Sequence, residues 1–448
     1  MNGIRTGRLL AFIHALLMWM MASSVHADES FLRDILPVLR SRCLTCHNAE
    51  KARSGYRVDS IDALMSAGDS DEQPIVRNQP DQSLLYQLLI SDDPDERMPL
   101  DADPLSTTEI EAIRNWIAGG ARTGRLNRKL SLGRLAGEIE YPDPPKDYPR
   151  PHPVTALAFD PQGEHLATPG YHEVIVRNVA DGKRVGQIAG VPERIQSIVW
   201  TDRSIIVAGG TPSERGNVVI VDSKSLKPIR QLGPFDEIVT VARTSHDSAR
   251  LAFAGADRLI RMFETESWKQ LHEWLQHADW VLDLAFDSNG ERLASASRDR
   301  TARIRDLKTG KVIRTYSSHG ESVVAVLFPA NGKSGLSIGR DRRLHEFNFV
   351  NDSSSVPKPK TLTKFPDQPV RMVRAGKYIW VALMNGALRV IDEDGKNESE
   401  VLPATGDQIS ALELSGDGTT IAVGFHVGEI KLLDTKDRKT RHTFNGTP

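Results

Sequence analysis

The strongest constraint on how this chain folds is that its second part repeats itself. Leu157-Ala-Phe-Asp-Pro-Gln-Gly-Glu-His-Leu-Ala-Thr168 nearly reappears as Leu284-Ala-Phe-Asp-Ser-Asn-Gly-Glu-Arg-Leu-Ala-Ser295. Fainter echoes are Val326-Leu327-Phe328 with Asn331-Gly332, and Leu412-Glu413-Leu414 with Asp417-Gly418. Each copy reads as a short alternating strand, a turn and a second strand of small residues. A third strand is expected after each, at Val174–Val179, Val218–Asp222, Ile260–Glu264, Ala302–Leu307, Leu344–Phe349, Leu388–Asp392 and Ile430–Asp434. Repeats then begin near residues 152, 191, 235, 277, 319, 366 and 405, a period of about 40 that suits one four-stranded sheet. About seven such blades close a ring and leave few sheet edges open to pairing with other chains. The expectation is an all-β, seven-bladed propeller over residues 152–448.

The repeats resemble the tryptophan–aspartate (WD) propeller family over roughly residues 152–445. The fourth copy carries most of the likeness, with His277, Ala294-Ser295, Asp299, Arg305-Asp306-Leu307 and Thr309-Gly310-Lys311. The signature tryptophan is missing, its place taken by Arg177, Val221, Phe263, Arg305, Phe347, Ile391 and Leu433. The family's buried His/Ser/Asp/Trp hydrogen-bond set is therefore incomplete. His165, His172, His246, His345 and His426 are scattered over four repeats without metal-ligand spacing, and they read as surface or turn residues. The chain has no G-x-S-x-G, no H-E-x-x-H and no phosphate loop. A propeller lacking these reads as a rigid platform for a protein or small ligand.

The first part carries a different signal, Cys43-Leu44-Thr45-Cys46-His47. This C-x-x-C-H pattern is the attachment signature of a c-type haem. Two thiols on one helical turn can form thioethers to the vinyl groups of one porphyrin, and the histidine then supplies the proximal iron ligand. Cys43 and Cys46 are the only cysteines in the 448 residues, so a four-ligand zinc site lacks donors. A thioredoxin-like dithiol is the rival reading, but it calls for a βαβ context and the flanking pattern is helical.

Residues 1–27 read as a signal peptide, with Arg5 and Arg8, an apolar stretch from Leu9 to Met21, and Val25 and Ala27 at the small-residue positions before Asp28. The apolar stretch, about 13 residues, is short of the ~20 that span a bilayer, so a retained anchor is the weaker reading. The expected location is exported, periplasmic or otherwise extracytoplasmic, with no membrane span after signal removal. A net charge of -2 gives no electrostatic case for nucleic acid.

Residues 28–121 read as a small all-α unit. Phe31, Ile35, Leu36 and Leu39 recur at helical spacing before the cysteines. Asp81 is the expected cap of a second helix with Leu84, Leu85, Leu88 and Leu89 on its apolar face. A third opens on Ser106 with Glu109 as a capping box, continues through Ile110, Ile113, Trp116 and Ile117, and stops at Gly119-Gly120. His47 is the only histidine of this unit, so a second axial ligand within it must come from elsewhere. Met98, on the polar loop Asp95-Glu96-Arg97-Met98-Pro99, is the expected sixth ligand; Met65 or an open position are the alternatives.

Residues 34–121 resemble the cytochrome c domain of planctomycete-type secreted proteins. The likeness rests on Ile35-Leu36-Pro37-Val38-Leu39 before the motif, Ser54-Gly55 leading to Val58-Asp59-Ser60, and Pro80-Asp81-Gln82-Ser83-Leu84-Leu85. It extends to Arg97-Met98-Pro99 and to Leu105-Ser106 through Trp116-Ile117-Ala118-Gly119-Gly120-Ala121. It implies one covalent haem c held by Cys43, Cys46 and His47, with Met98 as sixth ligand, so that His47 and Met98 bind the iron. Leu100 and Ala67-Gly68-Asp69-Ser70-Asp71 stand where the family commonly has a proline and a glycine-rich segment.

Between the two parts, residues 122–151 read as a linker. Tyr141–Arg150 is proline-rich and expected to be stiff, and Leu126–Ile139 is compatible with a strand, a helix or linker. The whole reads as a multidomain protein: a small all-α cytochrome c-like domain followed by a seven-bladed propeller. Single-electron transfer to a redox partner protein, or to another protein held by the propeller, is the expected role. An oxidoreductase with its active site in the propeller, or a scaffold with structural haem, are the alternatives.

Overall fold

A computed structural model describes residues 31–48, 51–70, 72–100, 102–123, 128, 132, 139–330, 332–349 and 359–446. The expected signal peptide and most of Leu126–Ile139 lie outside the described residues. The chain forms two compact units, Met1–Glu138 and Ile139–Pro448.

The first unit is helical. The contiguous stretches Phe31–Ile35, Leu36–Val38 and Leu39–Cys43 run on as α1, with wide π-type turns flanking an α-helical middle. Its expected stripe is its buried face, Phe31, Ile35, Leu36 and Leu39 all being at most 1% exposed. Then come α2 (Ile61–Leu64), α3 (Leu84–Ile90) and α4 (Thr107–Ala118). Ser60 caps α2 by accepting from Ala63 N–H at 3.1 Å. The capping box of α4 is complete: Glu109 N–H donates to Ser106 Oγ, and Ser106 N–H donates to Glu109 Oε2. Trp116 packs on α1, its ring centroid 5.5 Å from that of Phe31, and its indole N–H donates to the Arg122 carbonyl.

The expected cap of α3 needs correction. Pro80–Gln82 forms a 3-10 turn of its own, and Ser83 occupies the cap position. Asp81 lies one turn too early; its carbonyl accepts from the Gln87 side chain. The Ser83 hydroxyl is itself turned backwards, donating to the Gln79 carbonyl and accepting from Val76 N–H.

The second unit holds seven four-stranded antiparallel sheets, each formed by one contiguous stretch of chain. Blades 1 to 7 cover residues 158–189, 195–235, 239–275, 281–316, 323–364, 369–402 and 409–445. Every expected third strand is present. First strands of successive blades pack on one another, and that of blade 7 on that of blade 1, so the ring is closed. Val154 and Leu157 share a core with Ala422, Ile430 and Leu432 at this closing seam. The seven residues standing in for the signature tryptophan are all buried, so the position keeps its place in the core when its chemistry changes.

The proline-rich stretch lies against blades 1 and 2. Ile139 exchanges two hydrogen bonds with the Gln231 side chain, both 2.8 Å. Tyr141 accepts from Asn217, and the Tyr148 hydroxyl donates to Glu173 Oε1 at 2.7 Å.

Candidate functional site

Helix α1 delivers the C-x-x-C-H motif at its C-terminus. Cys46 N–H and His47 N–H both donate to the Cys43 carbonyl, at 3.2 and 3.1 Å, which places Cys43, Cys46 and His47 on one turn. Both cysteines are free and half-buried. The His47 ring is held through Nδ1, 3.1 Å from the Tyr56 carbonyl. A carbonyl can only accept, so Nδ1 carries the proton and Nε2 keeps its lone pair. This is the state in which histidines bind metals.

Local backbone chemistry puts the Tyr56 carbonyl there. Ser54 and Gly55 both have positive φ, 54° and 66°, and Asp69 N–H donates to the Ser54 carbonyl at 2.8 Å. A Cβ on Gly68 would meet Ser54 O at 2.5 Å and Tyr56 N at 2.8 Å. The missing side chain thus lets the two loops close on each other. The Tyr56 hydroxyl donates to the Leu64 carbonyl, tying the same loop to α2.

Cys43, Leu44, Tyr56, Met65, Leu85 and Met98 sit half-buried on the rim of one apolar core. Met98 is positioned by its N–H, which donates to the Leu88 carbonyl at 2.9 Å, and by a loop that Asp93 folds on itself through Asp95 and Arg97 N–H. Met65, at the end of α2, borders the same core. Arg42 ties the motif helix to the approach to α4 by donating to the Asp103 and Pro104 carbonyls.

The residues present fit a covalently held haem: two thiols on one turn, an imidazole with a free Nε2, and a rim of apolar and thioether side chains. They do not suit a redox dithiol. Such sites depress the thiol pKa, whereas burial pushes Cys43 up to about 12. The surroundings are also helical. Bound there, haem would be held by Cys43, Cys46 and His47 and would supply a reversible one-electron iron couple.

The propeller presents two polar features. In blade 4 the His277 ring bridges Asp299 Oδ2 at 2.9 Å and Ser295 Oγ at 2.8 Å. Arg305, in the tryptophan place, donates to Gln276 Oε1 and lies 4.4 Å from the Trp274 ring centre. Blade 5 repeats the set with His319, Asp341 and Ser337, each contact at 2.9 Å. Sequence reading missed this copy and took His345 for a surface or turn residue; His345 is in fact buried on the third strand of the blade and packs edge-on against His319, ring centres 4.5 Å apart. Reading the fourth copy's His, Ser and Asp one repeat onward would have found it.

The second feature is a small pocket on the innermost strands, lined among others by Thr155, Arg243, Asp283, Arg371 and Glu413. Arg243 pairs with Asp283 at 2.9 Å, and Val326 N–H donates to the other Asp283 oxygen. Burial pushes Glu413 up to about 7 from its ordinary 4.5. The folded protein therefore favours the protonated acid, and the penalty for ionising it builds as pH rises from about 4.5 to about 7. Glu413→Gln will remove that part of the pH dependence and stabilise the propeller at pH 8, by at most about 3 kcal/mol at ~1.4 kcal/mol per pH unit. Urea unfolding at pH 5 and pH 8 measures it; equal pH slopes in both proteins would refute the assignment.

Residues 43–101 match the family model described as Planctomycete cytochrome C, and residues 268–306 match that of the WD domain, G-beta repeat. No curated protein matches the chain. Among the described residues, no helix is long and apolar enough to cross a membrane.

Proposed function

We propose that this chain is an exported monohaem c-type cytochrome that exchanges single electrons, its propeller serving as the platform that selects a partner protein. The observation that carries the reading is the His47 Nδ1 contact with the Tyr56 carbonyl, which leaves Nε2 free for iron beside two thiols on the same turn. Cys43 and Cys46 would anchor the porphyrin and His47 would be the proximal ligand. Met98, on a loop pinned to α3, would be the sixth. A His/Met pair raises the potential relative to His/His and suits electron transfer. Export follows from the amino-terminal signal pattern and from the chemistry of haem attachment, which in bacteria takes place outside the cytoplasmic membrane.

The test is expression with the native leader in a host that matures c-type cytochromes. A pyridine haemochrome spectrum with one c-type haem per chain is expected, in the exported fraction. Met98→Ala will lower the midpoint potential by on the order of 100 mV, and Met65→Ala will leave it unchanged. The reverse pattern would move the sixth ligand to Met65. A colourless protein with two titratable thiols would end the cytochrome reading.

A further inference from the structure

Among the described residues, His319, Asp341 and His345 of blade 5 bring one ligating atom each to within 4.8 Å of one another. Blade 4 shows what the same scaffold looks like without a ligand-binding demand. There Arg303 stands where blade 5 has His345; its guanidinium lies 3.8 Å from Asp299 and donates to the Gln276 carbonyl. Ser297 stands where blade 5 has Gly339, and its hydroxyl donates to the Asp279 carbonyl. Blade 5 thus replaces a built-in cation by a neutral base and a serine by a glycine. Both changes fall around the same His–Asp pair.

The two replacements leave unused chemistry. His345 is 5% exposed, and its Nε2 is buried with no hydrogen-bond partner. Its other nitrogen lies 3.4 Å from Thr361 Oγ1. Burial disfavours the charged imidazolium, so the buried ring has a lone pair to give. An unsatisfied buried polar atom is costly to keep, which makes its retention beside a carboxylate informative. A Cβ on Gly339 would come within 2.4 Å of His319 Nδ1 and 2.7 Å of Asp341 Oδ1, so the glycine keeps clear the space next to both donors.

We propose that His319 Nδ1, Asp341 and His345 Nε2 form a binding site for a borderline divalent cation, Zn2+ by preference, in the fifth blade. Two imidazoles and one carboxylate are a donor set suited to Zn2+, with a fourth position left for water. An ion bound ~2.1 Å from each donor sets its ligands ~3.4 Å apart, a contraction that rotation of the His345 ring supplies. No proton is lost on binding. The single His319 proton, which Nδ1 donates to Asp341 Oδ1 at 2.9 Å in the metal-free site, moves to Nε2 on binding, where Ser337 Oγ 2.9 Å away accepts it, and the metal takes the place between Nδ1 and Asp341. Arg343, 3.9 Å from Asp341 Oδ2, has a side chain 46% exposed and can swing into solvent.

The site is tested on the full-length haem-loaded protein, freed of loose metal with a chelator and titrated with Zn2+ alone. His345→Arg installs the blade 4 residue, and His345→Ala is the second variant. The wild type will take up one Zn2+ per chain that both variants bind at least ~100-fold more weakly. Zn2+ will raise the thermal midpoint of the wild-type propeller and leave that of His345→Arg unmoved. Equal uptake and affinity in wild type and both variants, or no uptake by the wild type, would overturn the proposal.

Discussion

Exchanging Cys43 and Cys46 together for alanine will yield a chain with no covalent haem. On a denaturing gel stained for haem, the wild-type band will be positive and the double variant blank. The expectation follows from the chain having no other cysteine, so that no second pair of thiols can take over. It also follows from the geometry, because both thiols leave one turn that the Cys43 carbonyl closes. The effect extends to folding. Leu44, Tyr56, Met65, Leu85 and Met98 are only half-buried on the rim of their core, and a group that binds the native state alone stabilises it by the free energy of that binding. The double variant will therefore lose the thermal transition of the first unit, while that of the propeller stays in place, since the propeller cores are built only from residues beyond 138. His47→Ala separates attachment from ligation: the thioethers can still form, but the spectrum and potential will no longer be those of a His/Met pair. A haem-positive band in the double variant would remove the motif from the role given to it.

What could be read from the chain beforehand was what lies within one segment or recurs at a fixed interval. The C-x-x-C-H motif is contiguous, and the capping box of α4 spans only Ser106 to Glu109. The blades announced themselves because each must show the same alternation to cover its neighbour, so period and count were visible even with the tryptophan gone. Contacts made by backbone groups left no such trace. The partner of His47 is the carbonyl of Tyr56, an atom every residue has, and only the pairing of Ser54-Gly55 with Gly68 hints that this stretch is folded tightly. The cap of α3 was misplaced because Asp81 and Ser83 have equal local claims; Pro80 decided it by starting a separate turn. Charges that meet between neighbouring blades were equally hidden. Arg243 and Asp283 belong to different blades, and nothing near either one in sequence names the other.

Trp380→Ala will be among the most damaging single changes in the propeller, costing about 3–5 kcal/mol. Its side chain is fully buried in a cluster that joins Ala375, Ala382, Leu388 and Val390 of blade 6 to Ile409, Ile421, Val423 and Phe425 of blade 7. Removing it leaves a cavity at a seam between blades, where both flanking sheets are fixed by their other neighbours and cannot collapse inward. Trp380→Phe separates shape from polarity. The indole N–H is buried with no acceptor, so the wild type already carries the cost of an unmade hydrogen bond. Phenylalanine fills most of the space and abolishes that cost, so the variant will unfold within about 1 kcal/mol of the wild type. Urea denaturation of both variants decides the point, since a phenylalanine loss as large as the alanine one would mean that the N–H is satisfied after all. The seam also bears on function. A closed ring holds its loops in register only while every interface is filled, so partner binding by Trp380→Ala will weaken along with stability, whereas Trp380→Phe will keep both.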